Sequence, residues 1–397
     1  MSFFNSEVVN ETCGVVVDIG SGSVGVAIVL SVQDTDQYEV IWSHREHMLI
    51  KDVADQKALQ KDIQTTLTNV FLELGGSGMA ALRALEKSYN IHTLQVAISA
   101  PWACTVTKNI HFEDEHSFDV TKKILEELIH TAHTEDVSVS NEQEVAHTND
   151  LIKIGQATVR VQLNGYDTKH PVGTTAHSID LTHISQFAQN HLPSLITELQ
   201  EKILPKSTIT LYSFMYVYYQ VLRHLHPDTT EVCLVDITNE TTEIGIVRDD
   251  VLLFASHVPV GMYSLARELS VICDIPKEEA YGVLKNGTDI ITLYGEKKAE
   301  KIEALFTEYQ KQIEELFTHT GDSLSIPSTL FLHTSKNTED FFGYHIKKAA
   351  ENCTKNAHTV HPFTSQLLGE NVLEDTALAV SLHFFHKQST YRAIEVS

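Results

Sequence analysis

The sequence predicts a two-lobed α/β protein in which one strand meander is used twice, with a small α+β unit inserted in the first lobe. Two observations predict it. Gly14–Ser23 is an apolar run that ends in an aspartate and a Gly/Ser turn, and Val232–Thr242 is a second run built the same way. Around both, apolar residues at helical spacing mark the helices that would cover the sheets.

In the first copy, Asp18-Ile19-Gly20-Ser21-Gly22-Ser23 turns the chain into a second apolar strand, Val24–Leu30, and a third follows at Tyr38–Ser43. In the second copy, Asp236-Ile237-Thr238-Asn239-Glu240-Thr241-Thr242 leads into Glu243–Val247, and Arg248-Asp249-Asp250 turns the chain into Val251–Ser256. Short apolar runs bounded by Gly, Asp, Asn and Ser are strand signals. Two such units at wide spacing imply two related lobes, because solenoid repeats recur at much shorter periods.

Between the copies, Val120, Ile124, Leu125, Leu128 and Ile129 follow the helical period, with Asp119 or Thr121 as cap. Ile184, Phe187, Leu192, Leu195, Ile196, Leu199 and Ile203 do the same, and Pro193 is expected to kink or divide that helix. Ile302, Leu305, Phe306, Tyr309, Ile313, Leu316 and Phe317 mark a long helix after the second copy. These positions predict residues 1–93 as the start of the first lobe, 94–181 as the inserted unit, and 182–230 as helices completing the first lobe. Residues 231–397 are expected to form the second lobe, with 277–320 a helical subdomain.

The chain has 397 residues, 42% hydrophobic and 21% charged, which suits two or more folded lobes. Twenty-nine basic against 53 acidic residues leave a formal charge of −24, a field that repels phosphate backbones and anionic lipid and argues against nucleic-acid binding. Five cysteines without a CxxC spacing argue against a disulfide framework or structural zinc and for a reducing compartment. The 22 histidines form no recognisable ligand pattern and read as solvated residues on polar faces. The Met-Ser-Phe-Phe start has no signal-peptide character, and no stretch approaches the roughly 18–20 apolar residues that span a bilayer. The expected location is cytoplasmic.

Two facing meanders suit a nucleotide. Each first turn can present backbone N–H groups to phosphate oxygens, glycine allows close approach, and Ser/Thr hydroxyls add donors. An aspartate at each strand end, Asp18 and Asp236, can hold Mg²⁺ beside the phosphates. The candidate binding residues are therefore Asp18, Gly20, Ser21, Gly22 and Ser23 in the first turn, and Asp236, Thr238, Thr241, Thr242 and Glu243 in the second.

With these motifs the chain resembles the FtsA/PilM branch of the actin-like ATPases, whose lobes are ribonuclease-H-like. Asp18-Ile19-Gly20-Ser21 matches the first phosphate motif of that branch. Asp236-Ile237 through Thr241-Thr242-Glu243-Ile244 stands where its Asp-Ile-Gly-Gly-Gly-Thr-Thr-Asp-Ile segment would be. Val258-Pro259-Val260-Gly261-Met262 resembles its Pro-Val-Gly segment, and Pro276-Lys277-Glu278-Glu279-Ala280 its Glu-Glu-Ala helix start, which adds Gly261 and Glu278 to the candidate site. The inserted unit sits where FtsA carries its extra subdomain. The resemblance covers most of residues 12–290.

It implies ATP or ADP with Mg²⁺ as ligand, protein partners in a membrane-associated assembly, and a capacity for self-association. Its first implication is an FtsA-like scaffold of cell division; the alternatives are a PilM-like component of a type IV pilus or secretion platform and, more remotely, a sugar or carboxylate kinase. The departures point to a degenerate ATPase with slow or absent turnover. Thr238-Asn239-Glu240 replaces the glycine triplet, Glu243 replaces an aspartate, and Gly25 stands where many actin-like proteins have a basic or polar residue. The connecting segment Leu211–Met215 is not acidic, and Leu332-His333-Thr334-Ser335 replaces a Gly-Gly turn. Glu240 is expected to repel a terminal phosphate, so that Glu240→Gly would strengthen Mg²⁺-dependent binding. The end of the chain, Ser381–Ser397, has only a short apolar stripe, so direct membrane binding is expected to be weak or absent and any peripheral location to depend on a partner.

Overall fold

Asp18 and Asp236 end the central strands of two sheets that share one strand order. The computed structural model describes residues 11–32, 35, 38–51, 56–85, 88–139, 150–286, 290–320, 325–368, 373–391 and 394. Strands β1 (Glu11–Ile19), β2 (Ser23–Val32) and β3 (Tyr38–His47) form an antiparallel meander. Helix α1 (Gln56–Glu73), one π-helical turn at Leu74–Gly78 and α2 (Met79–Arg83) lead to β4 (Thr93–Ile98), which lies parallel to β1. The chain then leaves this sheet for an inserted one, made of β5 (Ala103–Asp119), β6 (Leu151–Leu163), β7 (Tyr166–Asp167) and β8 (Thr175–Gln189), with α3 (Lys122–Val139) beside it. Helix α4 (His191–Ile203) and β9 (Thr208–Ser213) complete the first sheet in the order β3-β2-β1-β4-β9.

Helix α5 (Phe214–Leu225) carries the chain into the second copy, β10 (Val232–Ile237), β11 (Thr242–Arg248) and β12 (Val251–Val258). After α6 (Met262–Cys273), α7 (Lys277–Lys285), α8 (Ile290–Tyr294) and α9 (Glu296–Thr318), strand β13 (Thr329–His333) pairs parallel to β10. Helix α10 (Glu339–Thr354) and β14 (Thr359–Pro362) close the second sheet, β12-β11-β10-β13-β14. The registers coincide: Asp18 lies opposite Gly25 on β2, and Asp236 lies opposite Glu243 on β11.

The apolar runs of β1 and β2 are continuous because both faces of the first sheet are covered. Val15, Val17, Ile19, Val24, Val26 and Ile28 pack with the α1 and α4 side chains. Val16, Ala27 and Val29 pack on the other face under Leu378, Leu382 and Phe385 of α11 (Thr376–Lys387). A side chain at Gly14 would lie 2.3 Å from the Phe385 ring, so the glycine gives α11 its close approach.

Several sequence-based assignments change. Strand β4 belongs to the first sheet, which moves the start of the insertion from 94 to the β5 strand, and the inserted sheet runs on to Gln189. Ile184 and Phe187 lie in β8, not in a helix, because the strand pairs with both β5 and β6 through these positions. Pro193 sits in the first turn of α4, where its missing N–H has no helical partner to lose, so it neither kinks nor divides the helix. Within the span assigned to the second lobe, α11 crosses back to the first sheet. Its Phe384 and Phe385 are core residues, not a lipid-facing stripe. His183, His333, His345, His358, His383 and His386 are buried, against the expectation of solvated histidines. Among the described residues no helix is long and apolar enough to cross a membrane.

Because Phe385 fills the space over Gly14, Phe385→Ala is expected to destabilise the protein by roughly 3 to 5 kcal/mol in urea denaturation. A loss below about 1 kcal/mol would mean that α11 is not part of the first lobe's core.

Candidate functional site

The two turns are built alike and face each other. In the first, the Gly20 N–H donates to the Ser23 carbonyl at 2.9 Å, and the buried Trp102 indole donates to the Gly20 carbonyl at 3.1 Å. In the second, the Thr238 N–H donates to the Thr241 carbonyl at 2.9 Å. The turns touch directly: Ser21 Oγ lies 2.7 Å from Thr238 Oγ1 and accepts the Glu240 N–H at 2.7 Å. Thr241 extends the junction by donating its hydroxyl to the Ala100 carbonyl at 2.9 Å. The Asn239 side chain lies over Gly22, where an added Cβ would come within 2.4 Å of Asn239 Nδ2.

Beside this junction is a cavity of about 310 Å³. Of the twelve candidate residues, Asp18, Gly20, Ser21, Gly22, Ser23, Asp236 and Thr238 line it. The other five do not. Thr242 donates its hydroxyl to the Val260 carbonyl, and Glu243 is buried in β11. Gly261 makes room for the second turn, since a side chain there would lie 2.4 Å from the Thr238 carbonyl oxygen. The α6 N-terminus that follows holds that turn, with the Met262 and Tyr263 N–H groups donating to the Thr238 and Asn239 carbonyls. Those donors are therefore engaged within the protein. Glu278 is exposed on α7 and Thr241 faces Ala100, both away from the cavity.

Each aspartate proposed for Mg²⁺ already faces a basic side chain. Arg45 on β3 donates Nη2 to Asp18 at 2.6 Å, Nε to Asp375 at 2.5 Å and Nη1 to the Ser23 hydroxyl at 2.8 Å. Asp236 is 2.7 Å from His333 Nδ1. Burial pushes the Asp18 carboxyl up from its ordinary value while Arg45 pulls it back. For Asp375 burial acts in the same upward direction, but the guanidinium outweighs it and the carboxyl is held low. Burial alone would depress Arg45, yet the two carboxylates raise it further above its already high value, so it stays charged.

Arg45 was missed in the sequence, although its signal was present. It lies directly opposite Gly25 in the β2–β3 register, and a Cβ at position 25 would come within 2.5 Å of its Nη2. The basic group absent from position 25 is thus supplied from the next strand, through the space that glycine leaves. Asp375 was missed too. It caps α11, accepting the Leu378 N–H at 3.2 Å, as an aspartate before an apolar helical run should.

The expectation for Glu240 is corrected. Its carboxylate points away from the cavity into a two-bond pairing with Arg267, at 2.8 and 2.7 Å, with 7% of the glutamate side chain exposed. It therefore neither faces nor repels a phosphate. The turns as they stand are bonded to each other and to Arg45, although Asp18 Oδ1 and Asp236 Oδ2 keep no hydrogen-bond partner. Arg45 holds Asp18, the Ser21 hydroxyl and Glu240 N–H hold each other, and Asn239 covers Gly22.

Two outcomes are expected. Arg267→Ala leaves the buried Glu240 unpaired and should cost about 3 kcal/mol or more in urea denaturation, and Glu240→Gly should destabilise as well. If Arg267→Ala left stability unchanged, the pairing would not hold the second turn. Burial, with the Asp236 charge adding to it and the Ala100 backbone opposing, pushes the Glu243 carboxyl well above its ordinary range. A raised folded value means that the folded chain keeps a proton the unfolded chain releases. Stability from this group is full below the unfolded value and is lost as pH rises above it. Glu243→Gln should therefore gain melting temperature over the parent progressively from about pH 5 to pH 8. A pH-independent difference would contradict the neutral carboxyl.

No protein-family model matches the chain, and no curated protein matches it in sequence. Solved structures do match it in fold. PilM of the PilM–PilN type IV pilus biogenesis complex superposes with a TM-score of 0.57 at 12% identity, over 94% of this chain and 98% of that one. The ethanolamine utilization protein EutJ from Carboxydothermus hydrogenoformans gives 0.43 at 12% identity, over 96% and 93% of the two chains. MreB 5 of Spiroplasma citri, bound to AMPPNP, gives 0.42 at 10% identity, over 96% and 97%. With the matched sheets and the cleft between them, the chain has the two-lobed actin-like ATPase fold.

Proposed function

We propose that this chain is a scaffold of the FtsA type, a protein that uses the actin-like fold to hold protein partners at a membrane-associated assembly for cell division rather than to turn nucleotide over. The observation that carries the reading is the direct bonding of Ser21 to Thr238 and Glu240, which engages the groups that would otherwise receive phosphate. The likeness to PilM, solved in complex with PilN, supports the partner-holding part, which a pilus or secretion platform component would share. Buried Phe384 and Phe385 take the end of α11 out of reach of lipid, in keeping with recruitment to the membrane through a partner. The inserted β5-β8-β6-β7 sheet is the surface proposed for partners or for a second copy.

The purified chain is expected to show no Mg²⁺-dependent ATP hydrolysis above background, and a fluorescent fusion in its native cell should collect at the division site. Steady hydrolysis would overturn the scaffold reading. Collection at pilus-bearing positions instead would assign the scaffold to the pilus alternative.

A further inference from the structure

The first turn is held from within the protein, and one side chain makes most of the contacts that hold it. Arg45 holds the turn at both ends, through Asp18 at the close of β1 and Ser23 at the start of β2. Its remaining side faces Asp375, the N-cap of α11, through Nε and Nη2 at 2.5 and 3.0 Å. Four of its hydrogen-bond contacts are therefore made to the protein, and the guanidinium side chain is only 18% exposed. Gly25 is the enabling position, because any side chain there would collide with the guanidinium.

We infer that Arg45 and Asp375 are a built-in occupant of the first phosphate turn, with the guanidinium standing in the cation's role and the Asp375 carboxylate in the anion's, so that the lobes close without nucleotide or metal. The link to closure is Ser21. With the flanks of its turn held by Arg45, its hydroxyl is presented to Thr238 Oγ1 and the Glu240 N–H on the other lobe. A charge-assisted, planar fork suits this task, since it fixes direction as well as charge. The inference rests on the cleft not being a turnover site, and on no particular partner.

Backbone hydrogen exchange at residues 18–24 and 238–242 tests it, with Mg²⁺ and AMPPNP as the probe. In the parent chain, protection of both turns should be the same with the probe and with a metal chelator. Arg45→Gln should speed exchange at both turns by about tenfold or more while α9 stays protected. Asp375→Asn, which can still cap α11, should do the same more weakly. Further protection of the parent turns by about tenfold on adding the probe would overturn the inference. Unchanged exchange at 238–242 in Arg45→Gln would do so too. If Arg45→Gln does not fold, Asp375→Asn decides alone: unchanged exchange in it rejects the clamp. Neither measurement involves hydrolysis or cell position, so this failure is separate from that of the scaffold reading.

Discussion

The Ser21 hydroxyl bonds the first turn to the second, where the two halves of this molecule meet beside the cavity. Ser21 Oγ accepts a backbone N–H from the second turn and meets the Thr238 hydroxyl, and both contacts are buried or nearly so. A buried hydroxyl without partners is costly, so once the turns approach, these bonds must form together. Most of the local architecture serves that approach. Trp102 holds the Gly20 carbonyl, the α6 N-terminus holds Thr238 and Asn239, and Gly22 and Gly261 leave space where a side chain would block the contact.

The second constraint is charge. Asp18 and Asp236 end central strands and are each 1% exposed, where an unpaired carboxylate is severely penalised. One oxygen of each is partnered from within, Asp18 Oδ2 by Arg45 and Asp236 Oδ1 by His333, while Asp18 Oδ1 and Asp236 Oδ2 are buried without a hydrogen-bond partner. Glu240 is answered by Arg267. Arg45 offsets the Asp18 and Asp375 charges from within, and the excess of acidic residues over the whole chain leaves a polyanion little electrostatic reason to enter.

The duplication was readable in the sequence because strand periodicity and turn chemistry are local. The aspartate, the small polar turn and the following apolar strand recur in order, and the two registers align on them. Seven of the twelve candidate residues come together at the cavity for the same reason. What escaped depends on contacts distant in sequence or on the direction of a side chain. Arg45 reaches Asp18 across two strands, and its role is visible only once Gly25 is seen to face it. Glu240 was placed correctly in the turn, but nothing local says which way its carboxylate points; Arg267, on the following helix, decides that. The boundary at β4 was misplaced because a strand's sheet membership is set by its partner, β1, not by its own pattern.

The return of α11 to the first sheet fastens together two segments far apart in the sequence. Val16, Ala27 and Val29 are made well before the Leu378, Leu382 and Phe385 that cover them. A nascent first lobe thus carries an uncovered apolar face while some 350 residues are being added, about half a minute of elongation at ordinary rates. Only after that helix leaves the ribosome can Asp375 reach Arg45, so the first turn acquires its final shape after the rest of its lobe. In the order of translation, the first turn waits for α11.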